Sequence, residues 1–309
     1  MRKTIETPLD QYIDHVKIDK DEEIIELVME KLFGFEYYYN EAKLFYNNNN
    51  PIVAYRSIKK AMELAESEEQ FMLGSKLIGE ILSSVGYFEE AFPFFEESLE
   101  LSKKLEDAGM QAMIIISMAK AYSEKGELDK SISCYEKGLQ LYNRLGYPVN
   151  NGIEEVGEVF EIATAYNNIA VIYNKKGQHL KAIEYLKKAI EVSSKYSYID
   201  LKKVILYKLN LGYAYMQCKD YDNAEKYMLE ALKDSKQIND EHREAKSYRY
   251  LGTLYKEKGD TEKAVKYYKK AYKLLRLINK KEEANKILKE IEDLNKNKKR
   301  KKIDGSNIG

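Results

Sequence analysis

Residues that carry chemistry are scarce in this sequence. Its two cysteines, Cys134 and Cys218, show no CxxC spacing, so neither a disulfide framework nor a zinc site is expected. Its three histidines, His15, His179 and His242, stand far apart and read as surface residues rather than ligands or bases. No GxGxxG, P-loop, HExxH or GxSxG pattern occurs, so the residues support neither an enzyme nor a cofactor. Prolines number four, and two of them follow a capping residue at Thr7-Pro8 and Asn50-Pro51, as at helix starts. Pro93, inside EEAFPFFEESLEL, is expected to kink its helix. No apolar run approaches the ~20 residues of a membrane span. The first residues, MRKTIETPLDQYIDH, lack the apolar core of a signal peptide, and a reducing cytoplasm is the expected location. Lysine plus arginine (51) balance aspartate plus glutamate (51), so no global field steers the chain toward nucleic acid or an anionic membrane.

What the sequence does have is periodicity. In the stretch 163–190, Tyr166, Ile169, Ala170 and Tyr173 fall at helical spacing, Gly177 can close the helix in the left-handed conformation, and Ala182, Ile183, Leu186, Ala189 and Ile190 form a second stripe. Two helices folded back on each other are expected, with Ala170 and Ala182 letting the backbones approach. The same order returns as Leu211-Gly212, Tyr215, Ala224, Met228 and Ala231, and as Leu251-Gly252, Tyr255, Gly259, Ala264, Tyr268 and Ala271. Earlier copies carry Met118-Ala119, then Ile78-Gly79, then Ala42. The small-residue markers at 42, 79, 119, 170, 212 and 252 give spacings of 37, 40, 51, 42 and 40 residues.

An aromatic, Leu-Gly, Tyr, then Ala, aromatic, Ala in tandem resembles the tetratricopeptide repeat family. The resemblance covers roughly Phe35 to Leu277 and departs from the family in a period near 40 rather than 34 and in lacking the unit-ending proline. It implies an all-α, right-handed superhelical solenoid of about six helical hairpins. The expected organisation is an N-terminal helical cap over 1–34, a repeat array over 35–277 with an insertion at about 142–160, a capping helix over 278–295 and a basic, disordered tail over 296–309.

In that family the first helix of each unit faces the groove. Counting from Ala163, Ile205 and Ala245 as unit starts puts Asn167, Asn168, Asn174, Asn210, Tyr213, Met216, Lys246, Arg249 and Tyr250 on that face. Lys76, Glu80, Ser117 and Lys120 fall on it in earlier units. An amide donates to a backbone carbonyl and accepts from a backbone N–H at once, so a row of asparagines suits an extended peptide. Tyr213, Met216 and Tyr250 would offer apolar pockets, and Lys246 with Arg249 would hold a carboxylate. The expected function is therefore non-catalytic recognition of a peptide or protein segment.

Two alternatives stand beside it. Repeats near 40 residues with groove asparagines also resemble the Rap/PlcR-type peptide-pheromone receptors of Gram-positive bacteria, which implies a peptide-responsive signalling regulator. The basic run Lys296, Lys298, Lys299, Arg300, Lys301 and Lys302 would serve nucleic-acid binding. Oligomeric state is not legible.

Overall fold

Short polar residues punctuate the chain wherever a helix begins. Asp107, Asp200, Asp220, Asp240 and Asp260 each accept a hydrogen bond from a backbone N–H of the following first turn, which satisfies a donor the helix itself cannot. Ser67 forms a reciprocal box with Gln70, and Asn50 caps the helix that Pro51 opens. Most described helices end on a left-handed residue that turns the chain back, Gly126 (φ 92°) and Gly177 (φ 72°) among them. Non-glycine residues take the same conformation at Asn49, Glu106, Lys219, Asn239 and Asn279.

The computed structural model describes residues 20–146, 156–194 and 200–306, with side chains over 34–146, 161–194 and 200–296. Among the described residues there are helices and no strands: α1 (Lys20–Asn47), α2 (Pro51–Glu63), α3 (Glu68–Ser84), α4 (Phe88–Lys104), α5 (Ala108–Lys125), α6 (Leu128–Arg144), α7 (Val156–Lys175), α8 (His179–Ser194), α9 (Leu201–Gln217), α10 (Tyr221–Gln237), α11 (Glu241–Glu257), α12 (Thr261–Leu277) and α13 (Lys281–Ser306). Successive helices pack as pairs, α1/α2 through α11/α12, and α13 packs on α12. The chain divides into two compact units, 1–150 and 151–309.

In the first unit, Tyr38, Ala42, Ala54, Tyr55 and Ile58 are buried between α1 and α2, and Phe95 of α4 lies against the bare backbone of Gly79 in α3. Gly34 leaves helical geometry (φ 51°, ψ −124°) and breaks α1 just ahead of Phe35. The helix expected after Thr7-Pro8 lies outside the described residues. Helical backbone continues through Pro93 to Lys104, where the sequence suggests a kink.

In the second unit the small residues do what their spacing suggests. Ala170 and Ala182 are fully buried, Gly212 lies against Met228, and Gly252 lies against the Tyr268 ring. Beside each contact a tyrosine pair closes the hairpin: Tyr173–Tyr185, Tyr215–Tyr227 and Tyr255–Tyr267 stack at 5.5, 5.7 and 5.5 Å between centroids. Lysine ammonium groups lie over these rings, Lys181 on Tyr173 and Lys263 on Tyr255 among them, so the charged face also packs.

The stretch expected as an insertion, about 142–160, takes in the last turn of α6 up to Arg144 and the start of α7 from Val156, and 147–155 lie outside the described residues. The backbone of α13 is helical to Ser306, so the segment expected to be disordered from 296 onward is helical there. No described helix is long and apolar enough to cross a membrane.

Candidate functional site

The first helices of three consecutive hairpins share one face, because α9 touches both α7 and α11. On that face Asn210 Nδ2 donates to Asn167 Oδ1 at 2.8 Å, and Asn167 Nδ2 donates to Asn168 Oδ1 at 3.3 Å. Asn167 is only 5 % exposed, whereas Asn168 and Asn210 are half-buried. A buried amide with no partner would cost the desolvation of its polar atoms. Asn167 therefore faces its neighbours and orients the two outer amides, although its position in the repeat suggested direct exposure. Asn174 stands apart from this row: its Oδ1 meets His179 Nδ1 at 3.0 Å across the hairpin turn. Met216, expected to offer an apolar pocket, is 4 % exposed and belongs to the core with Leu209.

One hairpin further on, Tyr213 and Tyr250 meet edge to face at 6.5 Å with their planes 82° apart. The Arg249 guanidinium lies 5.4 Å over the Tyr250 ring. Burial pushes the Tyr250 hydroxyl up from its ordinary range, against the opposing pull of Arg249. Lys246 is half-buried one turn before Tyr250. Tyr213, Arg249 and Tyr250, but not Lys246, border a cleft of about 500 Å³, whose other wall is α13, through Lys286, Ile287, Lys289 and Glu290. Helix α13 is pinned to α11 at two levels, by His242 with Glu283 at 3.0 Å and by Lys256 with Glu290 at 2.8 Å. Its Ala284, Ile287 and Ile291 are buried beneath.

The α13 wall is what the repeat count missed, because that helix reads as a solvating cap. One signal was present. Taking Ala284 as a further unit start puts Lys289 in the same column as Asn168, Asn210 and Tyr250.

The corresponding face of the first unit is a closed ionic network. Glu80 Oε1 accepts from Lys76 Nζ and from Ser117 Oγ, both at 2.6 Å, with the Lys120 ammonium near enough to act on its charge. Burial works to raise the Glu80 carboxyl, but Lys76, Ser117 and Lys120 outweigh it and hold the group below its ordinary value. Those groups are already partnered. Among the described residues no three His, Cys, Asp or Glu side chains gather as a metal ion would need.

Comparison with known proteins agrees with this architecture. The family model described as tetratricopeptide repeat matches residues 72–144 and 204–277, and a second of the same description matches 163–196. A TPR repeat-containing protein of Methanocaldococcus jannaschii is 26 % identical over 266 residues, covering 75 % of this chain and 43 % of that protein. The regulatory protein RapK of Bacillus subtilis is 24 % identical over 238 residues, covering 76 % of this chain and 57 % of RapK. The chain thus spans about half the length of these relatives. A crystal structure of a Rap protein complexed with competence and sporulation factor has the same fold, with a TM-score of 0.58 at 14 % identity, covering 93 % of this chain and 90 % of that one.

Proposed function

This chain belongs to the tetratricopeptide repeat family, and from that premise we propose that it is a non-catalytic module that recognises an extended peptide or protein segment on the first-helix face of α7, α9 and α11. The observation that carries this reading is the hydrogen-bonded row Asn168–Asn167–Asn210, which ends beside the Tyr213–Tyr250 pair. Asn210 uses one of its N–H groups on Asn167, which leaves its second N–H and its carbonyl for a peptide backbone. At ~0.5–1.5 kcal/mol net per hydrogen bond, two or three such contacts amount to about one to three decades of affinity. Side chains of the ligand would rest on Tyr213 and Tyr250, and Lys246 would border the path.

The test passes a random octapeptide pool over the immobilised full chain and over an Asn168→Ala/Asn210→Ala variant. Retained peptides are identified by mass spectrometry. Peptides held by the parent and reduced about tenfold in a variant of equal helicity support the reading. Retention of none, or equal retention by both, sinks it.

A second reading has its own support in the likeness to Rap regulatory proteins. On it, the bound peptide changes the conformation of the chain and so its hold on a partner. Slowed amide exchange beyond α7–α13 on adding a retained peptide favours this regulator over a static scaffold.

A further inference from the structure

The charge of this chain sums to +0, yet the cleft between α11 and α13 is strongly one-sided. Arg249, Lys286 and Lys289 line it against a single carboxylate, Glu290, whose Oε2 is bound by Lys256 at 2.8 Å. Among the described residues neither Lys286 nor Lys289 forms an ion pair, and both are exposed on a helix anchored from below by Ile287 and Ile291. Arg249 lies over the Tyr250 ring, a contact that leaves the donors in the guanidinium plane available. Next to these cations, Tyr213 and Tyr250 supply apolar surface.

We infer that this cleft is an acid-selective subsite: it takes an aspartate or glutamate side chain of the bound peptide, with a neighbouring apolar residue laid on Tyr213 and Tyr250. The inference rests on the peptide-groove reading and deepens it. A carboxylate is matched by the planar Arg249 donors, with Lys286 and Lys289 completing its charge neutralisation from the opposite wall. Neutral peptides keep the asparagine row and lose only the charge-assisted bonds. Basic peptides meet like charge.

The test uses the full chain and two octapeptide pools that differ only in carrying Asp and Glu in one and Asn and Gln in the other. The parent is expected to enrich the acidic pool about tenfold over the amide pool, the scale of one charge-assisted hydrogen bond. Lys286→Glu/Lys289→Glu, at exposed positions that the fold tolerates, is expected to abolish that preference. Lys233→Glu/Lys266→Glu makes the same charge change on exposed positions of α10 and α12 and is expected to keep the preference. Equal retention of both pools by the parent overturns the acid subsite and leaves the groove reading standing. A preference that Lys233→Glu/Lys266→Glu also removes overturns it as well, since it then reflects net charge. Retention of neither pool overturns both readings.

Discussion

Asn167 gives up exposure so that two other amides can be placed. Its position in the repeat was legible, but which way its amide faced was not, because spacing fixes a helical column and not the depth of the neighbouring helix. The same holds for Met216, which falls in an inward column and is drawn into the core by α11. Tyr207 shows how burial of one polar atom becomes a measurable property. It is 1 % exposed, with its hydroxyl 3.1 Å from Thr164 Oγ1. Burial pushes that phenol up to about 12 from an unperturbed 10.0, with the Thr164 bond opposing and Asp200 and Glu161 adding. The folded state thus holds the proton more tightly than the unfolded one. Stability from this group is fully present below pH 10 and is lost as the pH rises through about 12. The loss is on the order of 2–3 kcal/mol at most. Urea denaturation should show stability falling between those two pH values, and falling less steeply in Tyr207→Phe. Equal slopes would mean that Tyr207 does not set the response.

At the scale of the element, a hairpin is decided by where one side chain is missing. A Cβ on Gly252 would stand 2.6 Å from the Tyr268 ring, which is buried and tied by its hydroxyl to Thr253 at 3.1 Å. That ring cannot move aside. A Cβ on Gly74 would instead meet Sδ of Met62, at the end of a flexible chain. Alanine in place of a helical glycine gains about 1 kcal/mol of propensity, while overpacking a rigid core costs about 1–3. Gly252→Ala is therefore expected to lower unfolding stability by up to about 2 kcal/mol, while Gly74→Ala is near neutral or stabilising. Paired denaturation curves decide it, and equal shifts would refute the argument. The Leu-Gly marker made Gly252 legible from the sequence. The partner ring was legible as well, because Tyr268 belongs to the same repeat pattern. The tyrosine stacks with Tyr185, Tyr227 and Tyr267 were not, since those positions are not among the ones the repeat pattern marks.

At the scale of the whole molecule, repeat energetics are local: each hairpin is stabilised mainly by its neighbours. Gly252→Ala should therefore speed amide hydrogen exchange in α9–α13 and leave α1–α4 at the parent's rate, read by exchange mass spectrometry. Uniform acceleration along the chain would show global cooperativity instead. The sequence by itself determined the helix content, the hairpin turns and the small-residue contacts, because these depend on interactions within about 40 residues and recur with that period. It also determined which columns the asparagines occupy. Only the tertiary structure decided that Asn167 is buried behind Asn210, that the first unit's charges consume one another, and that α13 supplies a cationic wall to the cleft. Each of these joins residues of different hairpins, or of a hairpin and the closing helix. Such contacts depend on how far apart neighbouring helices settle, a distance set by packing and not by periodicity.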